Sequence, residues 1–497
     1  MRKIIKFLRE FPDQNALFIS VVVLIFSLLR LPSVIEPYWY GDEGIYEVLA
    51  QAMNQGRGLY SGIWDNKPPL LYIIYAIFNG DQFYAKLLSL IFGALSVVVL
   101  FFLAQKLFLK KLSVYVSTAF FALLFGLPVL EGNIANAENF MLLPVILSFY
   151  LMVINKDKKK MFYAVSCGIL LSFAFLIKIV GLFDLVALGL IIFVSRFTED
   201  ISLNKRNIRR QIRAAIFGLE TEVILIISFV APIALTTLYF LVRGEFADFW
   251  KAALSQNVGY VGYGNHFIFP MGMLYLKLFL LLVSTLLIIR YRKALTPAGL
   301  VVLTWLAFSC FSAFFSARPY THYLLVLLPS FSLFLGYIIE NKKARYFTIP
   351  LLLVLLFLIN RSFNPYRKNI SYYLNYLTFM SGGKIRDYQA FFDGNTPRDY
   401  EIARFIRSKT NDDENVFLWS DSAQIYALSG KLPPGRYAVA YHITFYPEGI
   451  DETREAIKRA KPKYIIQTKN DPAINNFLEG YALRYYIDDV QIYEKQP

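Results

Sequence analysis

Eleven stretches of nearly continuous apolar residues run through the first 360 positions, near 16–34, 83–105, 112–129, 138–154, 161–178, 180–196, 218–242, 271–289, 297–316, 322–339 and 346–360. Each approaches the ~20 residues that a helix needs to cross about 30 Å of hydrocarbon, so the pattern predicts about eleven transmembrane helices. Adjacent runs, such as those over 161–196, divide in more than one way. The run over 70–78 is too short to cross and is expected to lie along the membrane surface. Between the first two spans, the loop 35–82 carries Gly41, Asp42 and Glu43 just ahead of Ile45, Val48, Leu49, Ala52 and Met53, the spacing of a short amphipathic helix. From residue 361 onward the apolar runs shorten and Asp, Asn, Pro and Gly punctuate them. There 416–420, 463–468 and 484–493 are expected as strands, and 398–409, 422–428 and 452–460 as helices. The expected class is a polytopic α-helical membrane protein, with a membrane domain over 1–360 and a small soluble α/β domain over 361–497.

Composition supports the membrane reading: 56% of residues are hydrophobic and the mean hydropathy is +0.45. The net charge of +15 suggests nucleic acid only until it is located. Residues 361–497 hold 19 basic and 17 acidic residues, which leaves +13 upstream, in short loops between apolar runs. With the N-terminus in the cytoplasm, alternating spans place Lys106, Lys110 and Lys111, the clusters at 156–160, 196–213 and 290–293, and Lys342 to Arg345 all on the cytoplasmic face. Positive-inside topology therefore accounts for the charge, and no nucleic-acid partner is expected. An odd number of spans puts the C-terminal domain outside. Arg2, Lys3, Lys6 and Arg9 precede the first apolar run as in a signal peptide, but no small-residue cleavage site follows, so this run is expected to be a retained span of a multi-pass plasma-membrane protein. Cys167 and Cys310 both fall in apolar runs and are expected to be buried small hydrophobes.

The outer loops hold few cations, namely Arg57, Lys67, Lys178, Arg243, Lys251 and Arg318, and collect the acids Glu36, Asp42, Glu43, Glu47, Asp65, Glu131 and Glu138. Asp42 and Glu43 have a plain alternative as helix-capping acids. Lys67, before Pro68 and Pro69, has one as an interfacial side chain whose stem lies in lipid. Yet acids and a lysine at an outer membrane surface also meet the needs of sugar transfer from a lipid-borne phosphate. A carboxylate takes the acceptor hydroxyl's proton, cations hold the departing phosphate, and the donor's chain stays in the bilayer. On that reading Asp42 and Glu43 are the catalytic candidates, and Lys67 and Arg318 the phosphate contacts. Tyr46 and Trp64, among the aromatics of the first loop, suit sugar stacking. Asn136 and Glu138 in a polar outer turn, Lys178, and Tyr320 and His322 beside Arg318 are further substrate-binding candidates. Lys178 and Asp184 are also spaced as an intramembrane charge pair. His266 and His322 lack partners at metal-ligand spacing, so no protein-built zinc site is expected. No glycine-rich phosphate loop occurs in residues 361–497, and that domain is assigned no cofactor.

The segments GDEGIYEVLAQAMNQGRGLY, WDNKPPLLYIIYAIF and FYAKLLSLIFGALSVVVLFFLAQKLF, and later ANAENFMLLP, AFLIKIVGL, RPYTHYLLVLLPSFSL and NVFLWSDSAQIYALSGKLPPGRY, resemble the GT-C membrane glycosyltransferases. Nearest are the dolichyl- or polyprenyl-phosphate-mannose protein mannosyltransferase type, the lipid A aminoarabinose transferase, and the RgtA/B/C/D-like bacterial enzymes. The resemblance implies an inverting transferase of the cell envelope that uses a polyprenyl-phosphate-sugar donor and a glycan, lipid or protein hydroxyl as acceptor. Its catalytic acid corresponds to Asp42 with Glu43 beside it, and its phosphate-contacting lysine to Lys67. The aminoarabinose enzyme has a metal-binding glutamate before that lysine, whereas this chain has Asn66, a departure that puts a divalent metal in doubt and leaves it an open alternative. The alternative reading is a transporter or lipid-linked-sugar flippase, against which stand the lack of a visible repeat and the gathering of polar residues on outer loops. An anchored, non-catalytic surface domain would not need eleven spans.

Overall fold

The computed structural model describes residues 13–155, 160–200, 219–257, 265 and 271–497. Outside them lie the N-terminal basic residues, His266, and most of the basic clusters at 156–160 and 196–213. Every expected span is represented by a helix: Gln14–Arg30, Gln82–Leu107, Lys111–Gly126, Ala137–Val153, Lys160–Ile177, Gly181–Asp200, Glu220–Val242, Gly272–Tyr291, Pro297–Ala313, Leu328–Glu340 and Arg345–Ser362. Among the described residues, six apolar helices are long enough to cross a membrane and four more are shorter, at 10–17 residues. Their outer faces need lipid. Helix Gly272–Tyr291 exposes Leu278, Phe279, Leu280, Leu282, Leu286 and Leu287, and helix Arg345–Ser362 exposes Leu353, Val354 and Phe357. Apolar surface of that extent is stable only when hydrocarbon covers it.

The chain forms two compact units: residues 1–31, 88–239 and 257–367 make one, and residues 32–87, 240–256 and 368–497 the other. In the first, helices approach through small and polar side chains. A Cβ on Gly336 would stand 2.1 Å from the Ser117 hydroxyl, and Ser113 donates to Glu340 at 2.9 Å. Trp305 stacks on Phe149 with ring centroids 3.8 Å apart and donates its indole N–H to Asp184 at 2.9 Å. Asp184 is thus held by an indole, and Lys178 pairs with Glu138 instead, so the sequence-based pairing of these two is corrected. A helix turn-start separates them, and each finds a nearer polar partner on another helix.

The second unit contains a four-stranded sheet: β1 (Val416–Trp419), β2 (Tyr464–Gln467), β3 (Tyr481–Ile487) and β4 (Val490–Lys495), in the order β1-β2-β4-β3. β1 and β2 run parallel with Val416 opposite Tyr464, and β4 is antiparallel to both β2 and β3. The expected strand over 484–493 is in fact the two arms of a hairpin, because Asp488, at φ 50°, reverses the chain between Ile487 and Val490. Helices Thr396–Lys409, Gln424–Ser429 and Gly449–Ala460 fall where the sequence places them. The small α/β fold is borne out.

The first-loop segment of this unit carries helices Gly41–Asn54 and Pro69–Ala76. The latter starts on a proline at its first turn, where the missing N–H is no loss. It buries Leu71, Tyr72, Ile74 and Tyr75 and exposes Ile73. The segment is fastened to the C-terminal residues. Trp64 N–H donates to the Arg436 carbonyl at 2.8 Å, and the Arg57 guanidinium donates to the Pro433 carbonyl at 2.7 Å. Gly44 is needed because a Cβ there would lie 2.6 Å from the backbone nitrogen of Gln424. Gly44→Val should therefore force apart helices Gly41–Asn54 and Gln424–Ser429, lowering stability by about 1–3 kcal/mol, read as a fall in the melting temperature of detergent-solubilised protein.

Candidate active site

Asp42 and Glu43 occupy the first turn of helix Gly41–Asn54, where negative charge suits the helix dipole, and they point to different surroundings. The Asp42 side chain is 38% exposed. It accepts a hydrogen bond from the Tyr46 hydroxyl, one helical turn on, at 3.1 Å, and lies 3.4 Å from the Lys67 ammonium. Glu43 is buried and lies 3.3 Å from the ammonium of Lys86, which is itself 2.8 Å from Glu36. Glu36 also accepts from the Tyr372 hydroxyl at 2.5 Å and from the Trp39 indole at 3.1 Å. One acid of the pair faces the solvent side and the other is committed to the interior.

Lys67 is held by its backbone. Its N–H donates to the Tyr72 hydroxyl at 3.0 Å, and its carbonyl accepts from the Tyr60 hydroxyl at 2.7 Å. Its ammonium lies 4.9 Å from the centre of the Tyr46 ring, 3.4 Å from Asp42 and 3.7 Å from the buried Asp65. Asp65 accepts from Tyr72 at 2.8 Å and faces His442 Nε2 at 3.7 Å. Pinned at the main chain and bounded by two carboxylates, the lysine can lean to either without moving the loop. Tyr46 is fully buried and acts on this group through its hydroxyl and ring face. Trp64 is also fully buried, with Arg436 5.0 Å over its ring and Tyr446 edge-on at 5.4 Å, so it is a packing residue of this unit and presents no open face to a sugar.

Two members of this cluster have no local sequence signal. His442 lies in a short helix, Ala440–Phe445, far along the chain, and Lys86 sits in what reads as the first turn of an apolar span. Both were found only because folding brings a carboxylate to each. Glu47, one turn beyond Glu43, is buried with neither carboxylate oxygen hydrogen-bonded. Burial, reinforced by Glu43, pushes its carboxyl well above the ordinary value of 4.5.

The helical unit holds a second polar network. Glu131, in the left-handed region at φ 57°, places its carboxylate 2.7 Å from His322 Nδ1. The other ring nitrogen lies 3.9 Å from Glu138, which pairs closely with Lys178. The Lys178 ammonium lies 4.3 Å above the Tyr323 ring, and Tyr320 stacks on His322 at 5.7 Å. Arg318 donates to the Tyr320 hydroxyl at 3.3 Å. Asn136, beside Glu138 and 1% exposed, leaves both amide atoms without a hydrogen bond. Glu138, Lys178 and His322 thus belong to one constellation. His322 has carboxylate partners that its sequence neighbourhood did not announce, while Arg318 and Tyr320 sit at its edge. Among the described residues, no three His, Cys, Asp or Glu side chains converge to hold a metal ion.

Residues 58–247 match the family model for dolichyl-phosphate-mannose-protein mannosyltransferase. The chain is similar in fold to ArnT from Cupriavidus metallidurans in the apo state, with TM-score 0.54 and 15% identity over 96% of this chain and 97% of that one. It is likewise similar to the same protein bound to undecaprenyl phosphate, with TM-score 0.52 and 14% identity over 96% and 97%. No curated protein matches the chain in sequence. The resemblance to the GT-C membrane glycosyltransferases is thus borne out by a family model over part of the chain and by the fold over nearly all of it.

Glu47 supplies a prediction. A carboxyl whose folded pKa lies above its unfolded value binds more protons in the folded state, so its contribution to stability is present below about 4.5 and is lost as pH rises towards the folded value. Glu47→Gln removes that loss. It should flatten the fall in melting temperature as pH rises above about 4.5 and leave the variant the more stable of the two at the alkaline end of the profile. An unchanged pH profile would show Glu47 to be ionised in the folded protein.

Proposed function

We propose that the protein is a multi-pass membrane glycosyltransferase that moves a sugar from a polyprenyl-phosphate donor to a hydroxyl acceptor on the extracytoplasmic face. The observation that carries this reading is the pairing of a partly exposed carboxylate, Asp42, with the backbone-pinned ammonium of Lys67 at 3.4 Å. The mannosyltransferase family model, which covers this lysine, and the ArnT-like fold support it. So does the positive-inside reading of the sequence, which expects the basic clusters in the cytoplasm and the first loop and C-terminal segment outside.

In the proposed reaction the acceptor oxygen attacks the anomeric carbon while Asp42 takes its proton. The bond from that carbon to the phosphate oxygen breaks with its electron pair going to the phosphate, and attack opposite the leaving group inverts the anomeric centre. Lys67 turns from Asp42 to the phosphate, whose low basicity as a leaving group calls for charge stabilisation rather than a proton. Tyr46 orients Asp42 through its hydroxyl. Glu43 is a positioning residue, holding the start of helix Gly41–Asn54 against Lys86. The sequence reading also assigns a phosphate contact to Arg318 and substrate contacts to Asn136, Glu138, Lys178, Tyr320 and His322, which the helical unit holds in a polar network of its own.

Purified protein incubated with a panel of polyprenyl-phosphate sugars should consume one of them, read by mass spectrometry of the lipid. Asp42→Asn should lower kcat by about 10²–10⁴-fold with the melting temperature retained. Lys67→Ala and Arg318→Ala should weaken use of the lipid donor by tenfold or more, as expected for loss of a charge-assisted contact. Full turnover in Asp42→Asn removes the proposed base.

A further inference from the structure

His442 is enclosed in the second unit at 5% exposure, and its Nδ1 makes no hydrogen bond. Its Nε2 faces Asp65 Oδ1 at 3.7 Å, longer than a hydrogen bond and short enough for an ion pair. The charged groups around it are Asp65 and Lys67 of the first loop, Asp42 of helix Gly41–Asn54, and Asp421 after β1. Tyr441 and Tyr446 flank the ring. Burial holds the imidazole below its ordinary value of 6.5, with Asp65 opposing and Lys67 reinforcing the effect, so the ring is neutral at pH 7 while Lys67 stays beside Asp65.

Asp65 is sealed from water, at 2% exposure, and Lys67 is the cation beside it. A lysine that swings onto a donor phosphate leaves that carboxylate with only the Tyr72 hydroxyl, and an uncompensated buried charge is costly. We infer that His442 takes up a proton as a phosphate-bearing lipid draws Lys67 away, so that an imidazolium–carboxylate pair with Asp65 replaces the ammonium–carboxylate pair. The proton comes from solvent, and no bond other than N–H is made. His442 is a positioning residue: it touches neither sugar nor phosphate, and it frees Lys67 to do so. The C-terminal segment thereby sets the affinity of the first loop for its donor.

This rests on the reading of Lys67 as the donor-phosphate contact, and the test separates the two. The chain has three histidines, so histidine labelled at the ring carbons gives few NMR signals in detergent solution. The His442 signal is assigned by its loss in His442→Gln or, should that variant fail to fold, by exclusion with His266→Gln and His322→Gln. On saturation with undecaprenyl phosphate at pH 7, the His442 ring should change from the neutral to the imidazolium form. In His442→Gln the affinity for the same lipid should fall by tenfold or more. The lipid phosphate itself titrates near this pH, so the difference between wild type and His442→Gln is the quantity compared across pH. A ring that stays neutral while Lys67→Ala still weakens binding overturns the role of His442 and leaves the donor site standing. Absent binding, or binding that Lys67→Ala does not alter, overturns the donor site and this inference with it.

Discussion

The clasp of one buried ammonium by two carboxylates is the constraint on which the candidate site depends. Lys86 is fully enclosed between Glu36 and Glu43, and Glu36 is in turn tied to Tyr372 and Trp39. A charge so placed is tolerated only because its partners are present and correctly aimed. Removing one partner of such a pair costs about 3–5 kcal/mol, since the other is left stranded in a low dielectric. The clasp therefore acts less as a source of net stability than as a locator. It fixes Glu43 inward, and a helix cannot turn one residue inward without turning its neighbour elsewhere, so Asp42 is delivered to the side where Lys67 waits.

The same logic separates the two roles that adjacent acids in a sequence leave undistinguished. Asp42 keeps access to water and has a tyrosine and a lysine to hold it, which suits a group that must exchange protons with a substrate. Glu43 and Glu47 are withdrawn from solvent. Glu43 carries a counter-ion, while burial beside Glu43 pushes the Glu47 carboxyl up from its ordinary value. Three carboxylates within two helical turns are compatible because their charges are managed in three different ways.

Much of this was legible in the sequence. Eleven apolar runs became eleven helices because spanning a bilayer demands long, unbroken hydrophobicity, the strongest pattern a chain displays. The cluster around Asp42 and Lys67 was legible because its charges stand against an otherwise apolar background. Most of what escaped did so because long-range contact carries no local mark. Nothing in the neighbourhood of His442 announces Asp65, and nothing in the first turn of the Gln82–Leu107 helix announces the two glutamates that Lys86 meets. The strand that proved to be a hairpin was missed for a local reason, since Asp488 adopts a positive φ more usual for glycine or asparagine. Lys178 and Asp184 looked like a pair because six residues can bring two charges together, but each had a partner on a different helix.

The unit that holds Asp42 and Lys67 is assembled from segments far apart in sequence, with residues 32–87, 240–256 and 368–497 packed as one body. During synthesis residues 32–87 emerge well before their partners in 368–497, with the membrane helices made in between. Closing so long an interval is slow, and until it closes the loop lacks the surface against which Gly44, Arg57 and Trp64 pack. A chain still short of residues 368–497 thus carries Asp42 and Lys67 without the surface that aims them, so the geometry of the loop is set only once that later segment has folded onto it.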